Sequence, residues 1–87
     1  MMNFGQALEA MKAGKKVARK GWNGDDMFLF LADDIELHTN ADLSCVSHLE
    51  GRLILPSIVM KTAGNQFCVG WLASQTDMLS DDWYITQ

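Results

Sequence analysis

Residues 3–24 read NFGQALEAMKAGKKVARKGWNG and carry the signals for a helix, a strand and a turn in succession. Asn3, followed by Gln6 three residues later, has the form of an N-cap with its reciprocal partner, and apolar residues then recur at helical spacing. Gly14 can adopt the left-handed conformation that closes a helix. This stretch predicts a helix over about residues 4–13.

Two short strands are predicted after this helix. Lys15 to Lys20 alternates charged and apolar residues, as a half-exposed strand does. Gly21 to Gly24 contains two glycines and an Asn-Gly pair, which is typical of a tight turn. The continuous apolar run from Met27 to Leu31 is long enough for a buried strand and too short for a helix.

The middle of the chain, residues 32–54, is polar and shows no sustained period, so we expect a long, irregular excursion there. Pro56 cannot donate to a central ladder and is expected to open the next strand, Ser57 to Thr62. Gly64-Asn65 then predicts a hairpin turn into a strand over Gln66 to Val69.

The C-terminal segment predicts one helical turn and a last strand. Ser74 offers a capping side chain with an acid, Asp77, three positions on. Asp82 to Thr86 alternates as a strand does. The chain is therefore predicted to be α+β, a single domain over residues 1–87. One N-terminal helix packs on an antiparallel sheet of four or five short strands, with a short C-terminal helical turn.

The composition is that of an ordinary globular domain. The 87 residues, with a mass of 9.7 kDa, are 48% hydrophobic and 21% charged. These values exclude a disordered chain, collagen and a coiled coil. No stretch approaches the roughly 18 apolar residues that span a bilayer, and the N-terminus lacks the pattern of a signal peptide. We expect a soluble, non-exported, cytoplasmic protein with no membrane partner.

The charge is unevenly distributed. Residues 1–21 carry five basic side chains and one acidic one, whereas the rest of the chain carries two basic and ten acidic ones. Sequence-independent binding of DNA or RNA needs a broad basic surface, so no nucleic-acid partner is predicted. The N-terminal basic cluster suffices for one or two phosphates. Cys45 and Cys68 can form at most one bridge, and free thiols are expected.

Three tryptophans lie beside turn residues and charged or polar groups: Trp22, Trp71 and Trp83. An exposed indole that stacks on a base contributes about 1–3 kcal/mol to binding. A guanidinium such as that of Arg19 can chelate a phosphate, and a nearby carboxylate can accept from ribose hydroxyls. This combination suits a nucleotide. The alternative is that all three tryptophans fill the core of a small domain.

Catalytic and metal sites have weaker support. Asp77, Asp81 and Asp82 are candidates for general acid-base work, but capping a helix or facing solvent is a more frequent role. No Ser/His or Cys/His pair accompanies them. Four residues of the types that bind zinc have the spacing of no recognised site; they are His38, Cys45, His48 and Cys68. We predict no catalytic residue, no metal site and no cofactor.

Both ends of the chain closely resemble one family of small phage and prophage proteins, the Thoeris anti-defence "Tad-two" family. The N-terminal match covers Asn3 to Ala10 and Gly14 to Gly24. The C-terminal match is more specific and covers Met60-Lys61-Thr62-Ala63, Gly70-Trp71-Leu72-Ala73-Ser74-Gln75-Thr76-Asp77-Met78-Leu79 and Asp81-Asp82-Trp83. The middle, residues 32–54, matches no motif of the family.

The resemblance implies a sponge and not an enzyme. Members bind the cyclic ADP-ribose isomer that a Thoeris TIR enzyme makes during infection, keep it from the effector and do not cleave it. They form homo-oligomers, typically tetramers, with ligand pockets between subunits, and some also hold cyclic dinucleotides at separate sites. The expected partners are thus a cyclic nucleotide and further copies of the chain. The alternatives are an enzyme that hydrolyses such a signal and an inhibitor that blocks a defence protein directly.

The resemblance also implies a role for individual residues. Trp22 and Phe4 are expected to stack on the ligand, Arg19 to contact phosphate, and Asn23 and Asp77 to make polar contacts. The full predicted ligand-binding set is Phe4, Arg19, Trp22, Asn23, Trp71, Gln75, Asp77 and Asp82.

Several of these residues keep a second interpretation. Phe4 lies on the apolar stripe of the predicted helix, so a core role is equally open, and Trp71 is open in the same way. Arg19 is alternatively expected to pair with an acid of the C-terminal segment, such as Asp77 or Asp82. Trp83 is predicted to be structural because strand alternation places it on the same face as Ile85.

Overall fold

The computed structural model describes residues 1–22, 26–32 and 55–86. It has two helices and five strands in these ranges, and the predicted α+β class is confirmed. The elements are α1 (Phe4–Lys12), β1 (Val17–Arg19), β2 (Phe28–Ala32), β3 (Ser57–Lys61), β4 (Phe67–Val69), α2 (Gln75–Leu79) and β5 (Trp83–Ile85). The predicted excursion at 32–54 lies, apart from Ala32, outside the described residues.

Helix α1 begins and ends where its capping residues predict. The Gln6 N–H donates to Asn3 Oδ1 at 2.8 Å, and the Asn3 N–H donates to Gln6 Oε1 at 2.9 Å, which completes a capping box. After the helix, Gly14 adopts a left-handed φ of +88°. This conformation is costly for a residue with a Cβ, so a glycine belongs there.

The described strands form one antiparallel sheet in the order β4-β3-β2-β1-β5. The predicted β3–β4 hairpin is confirmed, and its left-handed position is Asn65, with a φ of +64°. Strand β5 lies beside β1, with Val17 opposite Ile85 and Arg19 opposite Trp83. The sheet therefore joins the first quarter of the chain to its C-terminal segment.

The main core lies between α1 and one face of the sheet. Ala7 and Met11 of α1 are buried against Val17, Leu29 and Trp83, and each of these five residues is at most 2% exposed. Burial of such side chains contributes about 1.5–3 kcal/mol each, which holds the helix on the sheet.

The sheet face turned away from α1 is more open. It carries a smaller cluster of Ala32 and Val59 with Phe30 packed against it, and the rings and side chains of Phe67 and Val69 on β4 are exposed. Neither described helix is long and apolar enough to cross a membrane.

Candidate functional site

Arg19 lies at the centre of a polar cluster. It is the last residue of β1, and strand alternation places its side chain on the α1 side of the sheet, near the α2–β5 segment. Its Nε donates to Asp82 Oδ1 and its Nη1 to Asp77 Oδ1, both at 2.8 Å. Its Nη2 donates to Asp82 Oδ2 at 3.4 Å. The Arg19 side chain is only 12% exposed, so little of it remains accessible to a ligand.

Asp77 ties this cluster to helix α2. Its N–H donates to Ser74 Oγ at 3.0 Å and its Oδ2 accepts from the Ser74 N–H at 3.1 Å, so the predicted capping box is confirmed. Burial by itself raises the pKa of Asp77. The hydrogen bonds from Arg19, Ser74 and Trp22 outweigh this effect and hold the pKa of Asp77 below its ordinary value.

Asp82 joins the guanidinium to the turn after β1. Its Oδ2 accepts from the Gly21 N–H at 2.9 Å. A Cβ at position 21 would lie 3.0 Å from both Arg19 Nη2 and Asp82 Oδ2, so the close approach requires a glycine. The hydrogen bond from Arg19 is the main cause of the lowered pKa of Asp82, and the Gly21 N–H adds to it.

Two carboxylates thus compensate the charge of Arg19. Their hydrogen bonds raise the pKa of the guanidinium, which remains protonated. The pairing with Asp77 and Asp82 is the one expected if Arg19 serves the scaffold. The phosphate contact expected of Arg19 stays a prediction, but a guanidinium already held by two acids has little unbalanced charge to offer.

The aromatic residues gather around Trp83. This indole is fully buried, and its Nε1 donates to the Asp77 carbonyl at 3.0 Å, so the structural role predicted for Trp83 is confirmed. Ile85, at the end of the same strand, is 45% exposed. The Phe4 ring lies 5.3 Å from Trp83 and is half-buried, which supports a core contribution from Phe4.

Trp22 and Trp71 form the outer part of this aromatic cluster. Both are half-buried, and their ring centroids lie 6.3 Å apart at 66°. Trp22 also packs edge-on against Trp83 at 5.4 Å, and its Nε1 donates to Asp77 Oδ1 at 3.3 Å. Each indole therefore contributes to the core and keeps part of its surface open to solvent.

The structure brings most of the predicted ligand-binding residues together. Phe4, Arg19, Trp22, Trp71, Asp77 and Asp82 surround Trp83. Gln75 is exposed in the first turn of α2. Asn23 lies outside the described residues, as do His38, Cys45 and His48, whereas Cys68 is exposed on β4. Whether these side chains bind a ligand stays a prediction.

Sequence reasoning missed a second group of residues on the open face of the sheet. A groove of about 950 Å³ is lined there by lysines and aromatic rings that were not singled out together: Lys16, Lys20, Lys61, Phe28 and Tyr84. The alternation of Lys16, Ala18 and Lys20 was a signal, because residues two apart on a strand share a face. Their neighbours on other strands required the register.

Comparison with known proteins agrees with the resemblance. Residues 2–86 match the Thoeris anti-defense 2-like domain, which is nearly the whole chain. The chain is also 40% identical over 84 residues to "Thoeris anti-defense 2" of Bacillus phage SP01, an alignment that covers 97% of this chain and 93% of that protein. The chain therefore belongs to the Thoeris anti-defense 2-like family, and this membership supports an anti-defence role.

Proposed function

We propose that this protein binds and sequesters a cyclic ADP-ribose isomer, the signal of Thoeris defence, without cleaving it. By lowering the free concentration of the signal in the host cell cytoplasm, it prevents activation of the effector. Family membership supports the anti-defence part of this proposal. The arrangement of Trp22 and Trp71 supports the binding of a nucleotide.

The observation that carries the proposal is the fixed orientation of the Trp22 indole. A hydrogen bond to Asp77 and edge contacts to Trp71 and Trp83 hold it in place while part of it stays exposed. A base that stacks on an aromatic side chain gains about 1–3 kcal/mol. Because the indole is already held, less conformational entropy is lost on binding.

The state of the carboxylates favours sequestration over hydrolysis. A general acid at neutral pH needs a raised pKa, as in glycosidases. The pKa values of Asp77 and Asp82 are instead lowered, and both carboxylates are engaged by Arg19. Ionised, hydrogen-bonded carboxylates suit a scaffold or polar ligand contacts better than proton donation.

The test is to identify what the protein retains. The protein is mixed with a cyclic ADP-ribose isomer, free ligand is removed by gel filtration, and the protein is denatured to release what it holds. Intact nucleotide in stoichiometric amount is the expected result. A converted product would identify an enzyme, and no retained nucleotide would contradict the sponge and favour direct inhibition of a defence protein. The same procedure with cyclic dinucleotides tests the second ligand class that the resemblance implies.

Trp22→Ala is expected to weaken binding of the cyclic ADP-ribose isomer by roughly tenfold to a hundredfold, because it removes the stacking surface. Isothermal titration calorimetry measures this effect, at a temperature where circular dichroism shows the variant to be folded. The matched control is Leu72→Ala, since Leu72 is 89% exposed beside Trp71. Unchanged affinity in a folded Trp22→Ala variant would restrict Trp22 to the core.

We also propose that the protein forms a homo-oligomer, a tetramer by family resemblance, with ligand pockets between subunits. Phe67 and Val69 on the edge strand β4 are 57% and 50% exposed, which leaves apolar surface for a second copy to cover. Light scattering is expected to give a mass several times the 9.7 kDa of the chain. A monomer at micromolar concentration would exclude a pocket between subunits.

A further inference from the structure

The groove on the open face of the sheet has an organised set of charges and rings. Its residues alternate with the core residues of the same strands: Ala18 is paired with Tyr84, and Phe28 with Lys61, whereas Val17 and Leu29 face α1. The groove is therefore on the opposite side of the sheet from the packed helix. It is separate from the ion pairs of Arg19, which lie on the α1 side.

Three ammonium groups approach two rings in this groove. Lys16 Nζ lies 4.8 Å and Lys61 Nζ 5.8 Å from the centre of the Phe28 ring. Lys20 Nζ lies 5.7 Å from the centre of the Tyr84 ring. Since Lys16 and Lys61 share one ring, their ammonium groups are within about 11 Å of each other. They are thus close enough to bind one doubly charged anion together.

These lysines carry charge that the described part of the chain does not neutralise. The ion pairs of the described residues use Lys12 and Arg19, and none involves the three groove lysines. Lys61 Nζ donates to the Asp26 carbonyl at 2.9 Å, which is an uncharged acceptor. The Asp26 side chain also belongs to the groove lining and opposes one of the three charges, so a net positive charge remains.

This positive groove is unusual in a protein whose formal charge is −4. Cation–π contacts at exposed sites contribute only about 0.5–1 kcal/mol each, which does not explain why three lysines gather there. An anion bound between them would replace mutual repulsion by attraction. Lysine ammonium groups are point charges that suit phosphate, and half-buried rings offer a surface on which a planar ring can stack.

We propose that this groove binds a small phosphorylated molecule that has a planar ring and at least two negative charges. Its volume of about 950 Å³ lies within the range of about 300–1,000 Å³ typical of small-molecule sites. Lys16 and Lys61 hold the phosphate near Phe28, and Lys20 and Tyr84 contact the rest of the molecule. The inference does not depend on the proposed sequestration of the Thoeris signal.

The test uses guanosine 5′-diphosphate as the probe and backbone amide NMR signals as the readout. Titration is expected to shift the signals of Ala18 and Phe28 and to leave the indole N–H of Trp71 unchanged. Guanosine 5′-diphosphate is expected to bind more tightly than guanosine or pyrophosphate alone. Absence of shifts in the groove, or binding by pyrophosphate as tight as that by the nucleotide, would overturn the proposal.

Matched charge variants complete the test. Lys16→Gln combined with Lys61→Gln is expected to weaken probe binding at least tenfold. The control, Lys12→Gln combined with Lys15→Gln, removes the same charge outside the groove and should change affinity less than twofold at 0.15 M salt. Equal losses in the two double variants would reduce the effect to overall charge. Tighter binding of an oligoglutamate peptide than of the nucleotide would assign the groove to an acidic protein segment and would also overturn the proposal.

The two sites can fail independently. The Lys16→Gln/Lys61→Gln variant is expected to retain the cyclic ADP-ribose isomer as the unchanged protein does, since neither lysine belongs to the aromatic cluster around Trp83. If the unchanged protein retains no such isomer but the groove signals still shift, the proposed function fails and the groove stands. The reverse outcome removes the groove alone.

Discussion

Trp83→Ala is expected to lower the free energy of unfolding by about 3–5 kcal/mol, the typical cost of removing a fully buried tryptophan. Trp83 is 0% exposed and contacts Phe4, Trp22 and Trp71. Domains of this size have a total stability of roughly 4–13 kcal/mol. The midpoint of thermal unfolding, followed by circular dichroism, should therefore fall by roughly 15–30 °C or the transition should disappear.

Two further variants locate the source of this loss. Trp83→Phe keeps a ring but leaves the Asp77 carbonyl without its donor, so an intermediate loss of about 1–3 kcal/mol is expected. Leu72→Ala, at a side chain that is 89% exposed, should change stability by less than about 0.5 kcal/mol. If Trp83→Ala and Leu72→Ala melt at the same temperature, Trp83 does not organise the core.

Arg19→Gln is expected to destabilise the protein by about 2–3 kcal/mol at pH 7, because it leaves Asp77 without its charged partner. The figure is below that of a fully buried pair, since 12% of each side chain is exposed. Urea unfolding monitored by tryptophan fluorescence measures it. The matched control is Lys12→Gln: Lys12 pairs with Glu9 at 3.6 Å, but the two side chains are 66% and 77% exposed, so less than about 0.5 kcal/mol is expected.

The pH dependence of this difference gives an independent check. The pKa values of Asp77 and Asp82 are lowered in the folded protein, so their stabilising effect is complete above the pKa of the unfolded state, about 3.9. It is lost as the pH falls through the lower folded-state values. The gap between unchanged protein and Arg19→Gln should be constant from pH 7 to about 5 and narrow below about pH 4. A gap that does not change with pH would exclude the ion pairs as its cause.

Local signals in the sequence predicted most of the elements. The capping boxes at Asn3 and Ser74 and the turn at Asn65 involve residues at most three or four positions apart, so a short stretch carries all the information. Element boundaries shifted by one or two residues, because ladder ends depend on the neighbouring strand. Strand β1, for example, begins at Val17 and not at Lys15.

The arrangement of the site was only partly predictable. The sequence left open whether Arg19 faces a ligand or the acids of the C-terminal segment, since this depends on β1 lying beside β5. The same register decides that Lys61 of β3 joins Lys16 over one ring. Such contacts between distant parts of the chain have no local pattern, and no sequence motif announced the groove.

The position of β5 beside β1 also determines when the ion-pair site can form during folding. Arg19 and Asp82 are separated by 63 positions along the chain, and Met2 bridges to Trp83. Closing such a loop costs conformational entropy before any contact compensates it, whereas α1 and the β3–β4 hairpin close over short distances. The acids thus reach Arg19 only after the rest of the sheet has been assembled, and a nascent chain has no site until its C-terminal strand has left the ribosome.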